Sequence, residues 1–164
     1  MSLHPPVLLS GLHDVSGFDC AIQSLNDWLK RRALANQISG ATRSYVVCDA
    51  GDKQRVMGYY ALASGALAAV DAPGAVRRNM PDPIPMVILG RLAADKVWQG
   101  RGLGLALLQD AVLRAAQAAR ILGVRGVLVH AISTDAKAFF ERHGFQASPT
   151  QPMTLVLSIK AMSQ

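Results

Sequence analysis

The chain has 164 residues, of which 51% are hydrophobic and only 17% are charged. This is the length of one domain, and a chain of this size buries a core without a metal or disulfide staple. Intrinsic disorder is excluded, because disordered segments combine low hydrophobicity with a high charge.

The charge balance is basic. The 17 Lys and Arg residues outnumber the 11 Asp and Glu residues, which gives a formal net charge of +6 and a pI near 9.8. Such a chain favours polyanionic partners such as nucleic acid, although a solvated basic surface explains the same composition. Glu141 is the sole glutamate, so few carboxylates are available as a general base.

The cysteine count and the N-terminal sequence indicate the compartment. Cys20 and Cys48 are too few for a disulfide framework, and no Cys/His spacing fits zinc. The N-terminus lacks a signal-peptide pattern, and no apolar run approaches the ~20 residues that span a bilayer. We therefore expect a cytoplasmic protein without a membrane segment.

The first half of the chain predicts one helix, a hairpin and a loop. Residues 21–35 carry apolar residues at helical spacing and end in a basic run, which suits the C-terminal end of a helix. Residues 43–49 and 55–67 are β-rich and flank a turn, as in a hairpin. Residues 71–85 contain four prolines, which indicates a loop with at most one helical turn.

The second half alternates strands and helices. The predicted elements are a buried strand over 86–94, a helix to Ile121 capped by Gly123, a strand over 124–132, a helix over 134–142 capped by Gly144, and a strand over 155–159. The resulting order, α, ββ, β, α, β, α, β, predicts a mixed, mostly antiparallel sheet with helices on both faces, in the α/β (α+β) class.

A glycine-rich turn, Trp98-Gln99-Gly100-Arg101-Gly102-Leu103-Gly104-Leu105, joins the buried strand to the long helix. Free N–H groups and the helix dipole bind phosphate at such a junction, and glycine lets the backbone approach it. A Walker loop would need Gly-Lys-Ser/Thr, and a Rossmann fingerprint would need a small residue at Leu105 or Leu107. The turn thus predicts a phosphate site other than one for ATP or NAD; a plain hinge is the alternative.

The spacing Gln99-x-x-Gly102-x-Gly104 resembles the pyrophosphate-binding signature of GNAT-superfamily acetyltransferases. Further segments are similar to the TacT-type toxins of toxin-antitoxin modules, and the resemblance runs from about Leu12 to Leu157: Asn26–Leu29, Arg77–Pro81, Leu89–Ala93 and Ala138–Arg142. It implies a single GNAT domain over residues 1–164 that moves acetyl from acetyl-CoA to the amino acid on charged tRNA and stops translation. It also implies a ribbon-helix-helix antitoxin and a homodimer.

The resemblance implies where acetyl-CoA binds. Its cofactor positions fall on the end of the buried strand, the glycine turn and the short helix: Leu92, Ala93, Ala94, Gln99, Gly100, Arg101, Gly102, Leu103, Gly104, Leu105, Ser133, Phe139 and Arg142. A backbone N–H at Leu92 or Ala93 would polarise the thioester carbonyl. No metal is implied.

Acetyl transfer needs a neutral amine. An α-amine has a pKa of about 8 and needs no strong base, whereas a lysine near ~10.4 normally does. The candidate bases are Asp95, His130 and His143, and a structural role explains each of them more readily.

The leaving thiolate needs a proton, and the family takes it from a tyrosine where this chain has Phe140. Phenylalanine cannot donate a proton, and the loss should be of the order of 10² to 10⁴ in rate. Three explanations are open: a deliberate replacement that spares the expression host, which we favour; a degenerate natural copy; or another donor, namely water or one of Tyr45, Tyr59 and Tyr60.

Two basic clusters, Lys30-Arg31-Arg32 and Arg77-Arg78, are candidates for binding the tRNA backbone, with a solvated face as the alternative.

Two rival functions remain. Acetylation of a small amine or a protein lysine is disfavoured by the few carboxylates available to hold a cationic acceptor. A non-catalytic CoA-binding or nucleic-acid-binding subunit that acts with an antitoxin at DNA is favoured by Phe140.

Overall fold

The computed structural model of the chain describes residues 2–159. These residues form helices and strands, with short 3-10 turns at Ala69–Asp71 and Lys96–Trp98. The elements are β1 (Val7–Leu8), α1 (Gln23–Arg31), α2 (Ala33–Ser39), β2 (Arg43–Cys48), β3 (Val56–Leu67), α3 (Gly74–Arg77), β4 (Ile84–Ala94), α4 (Leu103–Ala119), β5 (Gly126–His130), α5 (Thr134–Arg142), β6 (Gln146–Ala147) and β7 (Thr154–Ser158).

The described strands form one sheet in the order β1-β2-β3-β4-β5-β7-β6. Strands β2 and β3 pair antiparallel with Tyr45 opposite Tyr60, so the predicted hairpin is confirmed. Strands β4 and β5 pair in parallel, with Val87 opposite Val127. Because β5 also pairs antiparallel with β7, the sheet is mixed, as its element order predicts.

The chain divides into two compact units, and each is built from two segments. Unit 1 comprises Met1–Ala63 and Gly90–Ala111. Its core is centred on the buried Tyr59, whose ring meets Phe18 edge-on at 5.6 Å and stacks on Trp28 at 6.0 Å between ring centroids. The Tyr59 hydroxyl donates to the Leu25 carbonyl at 2.7 Å, which ties β3 to α1.

Unit 2 comprises Ser64–Leu89 and Val112–Gln164. Its core contains side chains from β4, β5 and β7, among them Met86, Leu128 and Val156, and all three are buried. Strand β5 is buried from Gly126 to Val129, as expected for a strand with neighbours on both sides.

The predicted helix over residues 21–35 is in fact two helices. The backbone leaves the helical conformation at Arg32, which has φ of −121°, and α2 then continues to Ser39. Gly40 ends α2 in the left-handed conformation, with φ of 83°. The basic residues Lys30 and Arg31 do lie in the last turn of a helix, namely α1.

The predicted cap at Gly123 is wrong, and α4 ends at Ala119. Gly123 is not left-handed; instead the chain leaves α4 through a turn in which the N–H groups of Ile121 and Leu122 donate to the Ala118 carbonyl. The Gly144 cap of α5 is confirmed by its φ of 96°.

Strand β4 begins two residues earlier than predicted, and β5 is shorter than its prediction. Strands β1 and β6 are not predicted from the sequence, since two residues are too few to show alternation. Among the described residues, no helix has both the length and the apolar character that a bilayer crossing demands.

Candidate active site

The glycine-rich turn has an open backbone. Gly100 and Gly102 adopt left-handed conformations, with φ of 76° and 85°. A Cβ atom built on either glycine would have no neighbour within 4 Å. The turn therefore presents bare backbone rather than packing it, and it leads directly into the first residue of α4, Leu103. The first N–H groups of a helix have no acceptor within the helix, so they are available to an anion.

Gln99 anchors the start of this turn. Its Nε2 donates to the Cys20 carbonyl at 2.9 Å and to the Ala94 carbonyl at 3.0 Å. The side-chain amide thus holds the turn to the end of β4 and to the loop before α1. The resemblance implies a cofactor contact at Gln99, and the geometry adds an anchoring role for the same residue.

Asp95 also has a structural task. The side chain is buried, one oxygen accepts from the N–H of Val97 at 3.0 Å and the other from the N–H of Asp19 at 3.1 Å. The bond from Val97 caps the 3-10 turn that precedes the glycines, and the bond from Asp19 ties that turn to the loop before α1. A carboxylate held in this way is a poor general base, and the structural role expected for Asp95 from the sequence explains its position.

Two further contacts position the turn. Trp98 is buried, and the guanidinium carbon of Arg101 lies 5.1 Å from the centre of its ring. On the α4 side, a Cβ at Gly58 would come within 3.1 Å of Leu103 and 3.2 Å of Leu107. Gly58 therefore lets α4 pack close to β3. Sequence reasoning missed Gly58, although an isolated glycine within a strand is a signal of close approach by a neighbouring element.

The end of β4 carries the other predicted cofactor residues of unit 1. Ala93 is buried, while Leu92 and Ala94 are half-buried. The Gln99 side chain bonds the Ala94 carbonyl, so the end of β4 and the glycine turn are joined within one unit. Next to them, the Arg91 guanidinium lies 4.8 Å from the centre of the Trp28 ring. Arg91 is a cation that the sequence analysis did not assign.

The predicted site residues of unit 2 lie on and before α5. Ser133 is the N-cap, and its Oγ accepts from the N–H of Ala136 at 3.1 Å. Phe140 is buried and its ring contacts Phe145 at 5.3 Å, whereas Phe139 contacts the His143 ring at 5.0 Å. Arg142 is exposed in the last turn of α5.

The remaining candidate bases and acids already have partners. His130 Nδ1 lies 2.9 Å from the Thr154 hydroxyl. The Tyr60 hydroxyl donates to the Asp110 carboxylate, and the Tyr45 ring stacks on Tyr60 at 5.2 Å. Burial raises the pKa of Tyr59. Proton donation from Tyr59 or Tyr60 would have to break these hydrogen bonds.

The cysteines are not activated nucleophiles. Burial raises the pKa values of the Cys20 and Cys48 thiols, and a thiol rather than a thiolate is present near neutral pH. Within residues 2–159, no three His, Cys, Asp or Glu side chains come together as a metal site would require.

Both predicted basic clusters are exposed. Lys30 and Arg31 close α1, and Arg32 follows them at the junction with α2. Arg77 and Arg78 lie at the C-terminal end of α3. Each cluster is a set of neighbouring cations that face solvent.

Comparison with known proteins shows which family this chain resembles. Residues 41–147 match the acetyltransferase (GNAT) domain. The tRNA-acetylating toxin of Mycobacterium tuberculosis is 50% identical over 155 residues, which cover 94% of this chain and 92% of that protein.

Two solved structures have the same fold. AtaT complexed with acetyl-methionyl-tRNAfMet has a TM-score of 0.91 and 26% identity, covering 99% of this chain and 98% of that chain. A tyrosine-to-phenylalanine mutant of the AtaT toxin was solved bound to the C-terminus of the antitoxin AtaR and to acetyl-CoA. It has a TM-score of 0.83 and 27% identity, covering 99% of this chain and 97% of that chain.

Proposed function

Because the chain belongs to the GNAT acetyltransferase family, whose acetyl donor is acetyl-CoA, we propose that it is a toxin that acetylates the α-amine of the amino acid on charged tRNA. The transfer would block that aminoacyl-tRNA in translation. The proposal is supported by a 50% identical relative that is itself a tRNA-acetylating toxin.

The open glycine turn is the observation that carries the proposal. Gly100 and Gly102 leave the backbone uncovered, and α4 begins at the next residue, Leu103. A diphosphate fits this arrangement, since backbone N–H groups and a helix dipole stabilise its charge. Acetyl-CoA supplies a thioester whose acetyl group reacts with an amine. The N–H of Leu92 or Ala93 would stabilise the charge that develops on the carbonyl oxygen.

An α-amine is a suitable acceptor for this chain because the candidate general bases already have hydrogen-bond partners. Asp95 is occupied by two backbone N–H groups, and His130 by Thr154. An aminoacyl ester carries an amine that is partly neutral near pH 7, so no strong base is needed. The net charge of +6 and the exposed clusters at Lys30–Arg32 and Arg77–Arg78 would attract the tRNA backbone.

Phe140 limits the rate of this chain under the proposal. The ring has no proton for the thiolate, and the hydroxyls of Tyr59 and Tyr60 are held by other acceptors. Water and Tyr45 are then the remaining candidate donors. Binding of acetyl-CoA does not require a hydroxyl at residue 140, which agrees with the acetyl-CoA complex of an AtaT mutant that has lost a tyrosine.

The partners follow from the relatives in the same way. AtaT binds the C-terminus of an antitoxin, and we extend this to a ribbon-helix-helix antitoxin for this chain, together with a homodimer in the cytoplasm. Phe140 favours one second candidate, a CoA-binding subunit that acts with the antitoxin and does not turn over.

Transfer of labelled acetyl from acetyl-CoA to charged tRNA tests the proposal. Gly102→Val should weaken acetyl-CoA binding by about tenfold or more, because it covers the backbone at a left-handed position. Calorimetry with acetyl-CoA measures this effect. Gly17→Val is the matched control, since Gly17 has open space and is not left-handed.

Two results would overturn the assignment. If Gly102→Val and the parent chain bind acetyl-CoA with equal affinity, the glycine turn is not the acetyl-CoA site. If the parent chain and Phe140→Tyr both bind acetyl-CoA but leave charged tRNA unlabelled, the acceptor is a different amine or the chain is a binding subunit.

A further inference from the structure

Unit 2 contains a cavity of about 390 Å³ whose lining, apart from Arg78, has no role in the proposed reaction. It lies beside the C-terminal end of α3 and the ends of β6 and β7. Its polar lining consists of Arg78, Asn79, Arg125, Gln146 and Ser158. None of the described lining residues is acidic, so the cavity combines two cations with uncharged polar groups.

The Arg125 side chain is held in place. Its Nε donates to the Val76 carbonyl and its Nη2 to the Ala75 carbonyl, both at 3.3 Å. The backbone is fixed as well, because the Arg125 N–H donates to Pro85 and its carbonyl accepts from Ile159. Among residues 2–159, Nη1 has no hydrogen-bond partner and no carboxylate pairs with the guanidinium. An ordered guanidinium loses little entropy when it binds an anion.

The rest of the lining adds a second cation, apolar side chains and two amides. Arg78 is exposed just after α3 and has no ion pair within the described part of the chain. Ala75, Val76, Val156 and Leu157 supply the apolar part of the lining, the apolar floor of the cavity. The amides of Asn79 and Gln146 offer both donors and acceptors.

We propose that this cavity binds a nucleotide, with its phosphate on Arg125 and Arg78 and its base over the apolar floor. Guanidinium groups match phosphate geometry, and the volume lies in the range of ~300–1,000 Å³ typical of ligand sites. The nucleotide is either a residue of an RNA strand or a free mononucleotide. The net charge favours RNA, and the choice of tRNA as that RNA rests on the proposed function.

Binding of uncharged tRNA tests the cavity without any acetyl transfer. Arg125→Gln and Arg78→Gln should each weaken binding by about tenfold, the equivalent of one charge-assisted hydrogen bond. Each should also reduce the slope of log K against log salt by about one. Arg120→Gln is the matched control, because it removes the same charge from an exposed position of unit 2 outside the cavity.

Ala75→Glu guards against a folding artefact of Arg125→Gln. Ala75 is exposed in the first turn of α3 and lines the cavity, so a glutamate there should leave the fold intact and compete for the guanidinium groups. The expected result is the same loss of tRNA affinity with an unchanged melting temperature.

A titration with AMP identifies the source of the nucleotide. If AMP shifts the amide signals of Gln146 and Ser158 in the parent chain but not in Ala75→Glu, while tRNA affinity is unchanged in all variants, the ligand is a free mononucleotide. If neither tRNA nor AMP responds to the variants, the cavity proposal is wrong.

Acetyl transfer by the parent chain and by Phe140→Tyr, measured alongside, separates the two proposals. Transfer to charged tRNA by either chain, with no response from the cavity variants, would overturn the cavity proposal alone. Weaker tRNA binding by the cavity variants, with no transfer by either the parent chain or Phe140→Tyr, would overturn the acceptor assignment alone.

Discussion

Under the proposed function, the side chain at residue 140 sets the rate of acetyl transfer. Phe140 is 6% exposed and packs against Phe145 and Phe139. The ring is packed within unit 2, and it has no hydroxyl that could donate a proton. Tyr59 and Tyr60 retain hydroxyls but donate them to the Leu25 carbonyl and the Asp110 carboxylate. Under the proposed function, Tyr59 and Tyr60 would therefore supply the proton only by giving up these hydrogen bonds.

Phe140→Tyr should raise the rate of acetyl transfer to charged tRNA by about 10² to 10⁴, the usual contribution of a general acid. The affinity for acetyl-CoA should not change. Single-turnover kinetics and calorimetry measure the two quantities separately. Phe145→Tyr is the control, because it adds the same hydroxyl to a neighbouring buried ring. An equal rate for Phe140→Tyr and the parent chain would exclude this residue as the missing acid.

The elements around the candidate site are held by side-chain hydrogen bonds and by close strand packing. Gln99 ties the glycine turn to β4, and Asp95 caps the turn before it. In unit 2, β5 lies between β4 and β7. A Cβ at Gly126 would lie 2.5 Å from the Leu157 carbonyl oxygen and 3.2 Å from the Met86 methyl group. The strands at this point have no room for a side chain.

Gly126→Ala should lower the free energy of unfolding by about 1–3 kcal/mol, the cost of overpacking against backbone that must shift. Urea unfolding followed by circular dichroism measures it. Gly123→Ala, three residues earlier and in open space, should stay within about 0.5 kcal/mol of the parent chain. Equal stability of the two variants would contradict the close approach of β5 and β7.

Stability in acid is a property of the whole molecule, and Asp19 contributes to it. The Ala21 N–H, the Asn26 amide and the Lys96 ammonium lower the pKa of the Asp19 carboxyl to about 2. An aspartate ordinarily titrates near ~3.9, so the folded state favours the ionised form. The contribution is complete above the ordinary pKa, and it is lost as the pH falls towards 2.

Asp19→Asn keeps a side-chain oxygen for the Ala21 N–H but cannot ionise. The parent chain should therefore be more stable than Asp19→Asn at pH 5, and the two should converge as the pH approaches 2. Urea unfolding at a series of pH values measures the difference. A difference that stays constant with pH would show that the Asp19 charge is not linked to folding.

The sequence alone determined the mixed sheet, the β2–β3 hairpin and the glycine turn at a strand–helix junction. These features depend on local patterns: alternation, apolar runs, and glycines placed where a backbone must be bare. The same patterns did not locate the ends of helices, because apolar spacing marks the buried face of a helix and not where the helix stops. The predicted helix over residues 21–35 breaks at Arg32, and α4 ends at Ala119, before the predicted cap at Gly123.

Only the tertiary structure decided which polar side chains have hydrogen-bond partners and which face a cavity. The Gln99 amide finds a carbonyl 79 residues away, at Cys20, and the Arg125 guanidinium reaches the carbonyls of α3 across about 50 residues. No sequence spacing encodes such contacts, because chain folding, and not the local pattern, brings the two partners together. The cavity beside Arg78 and Arg125 exists for the same reason.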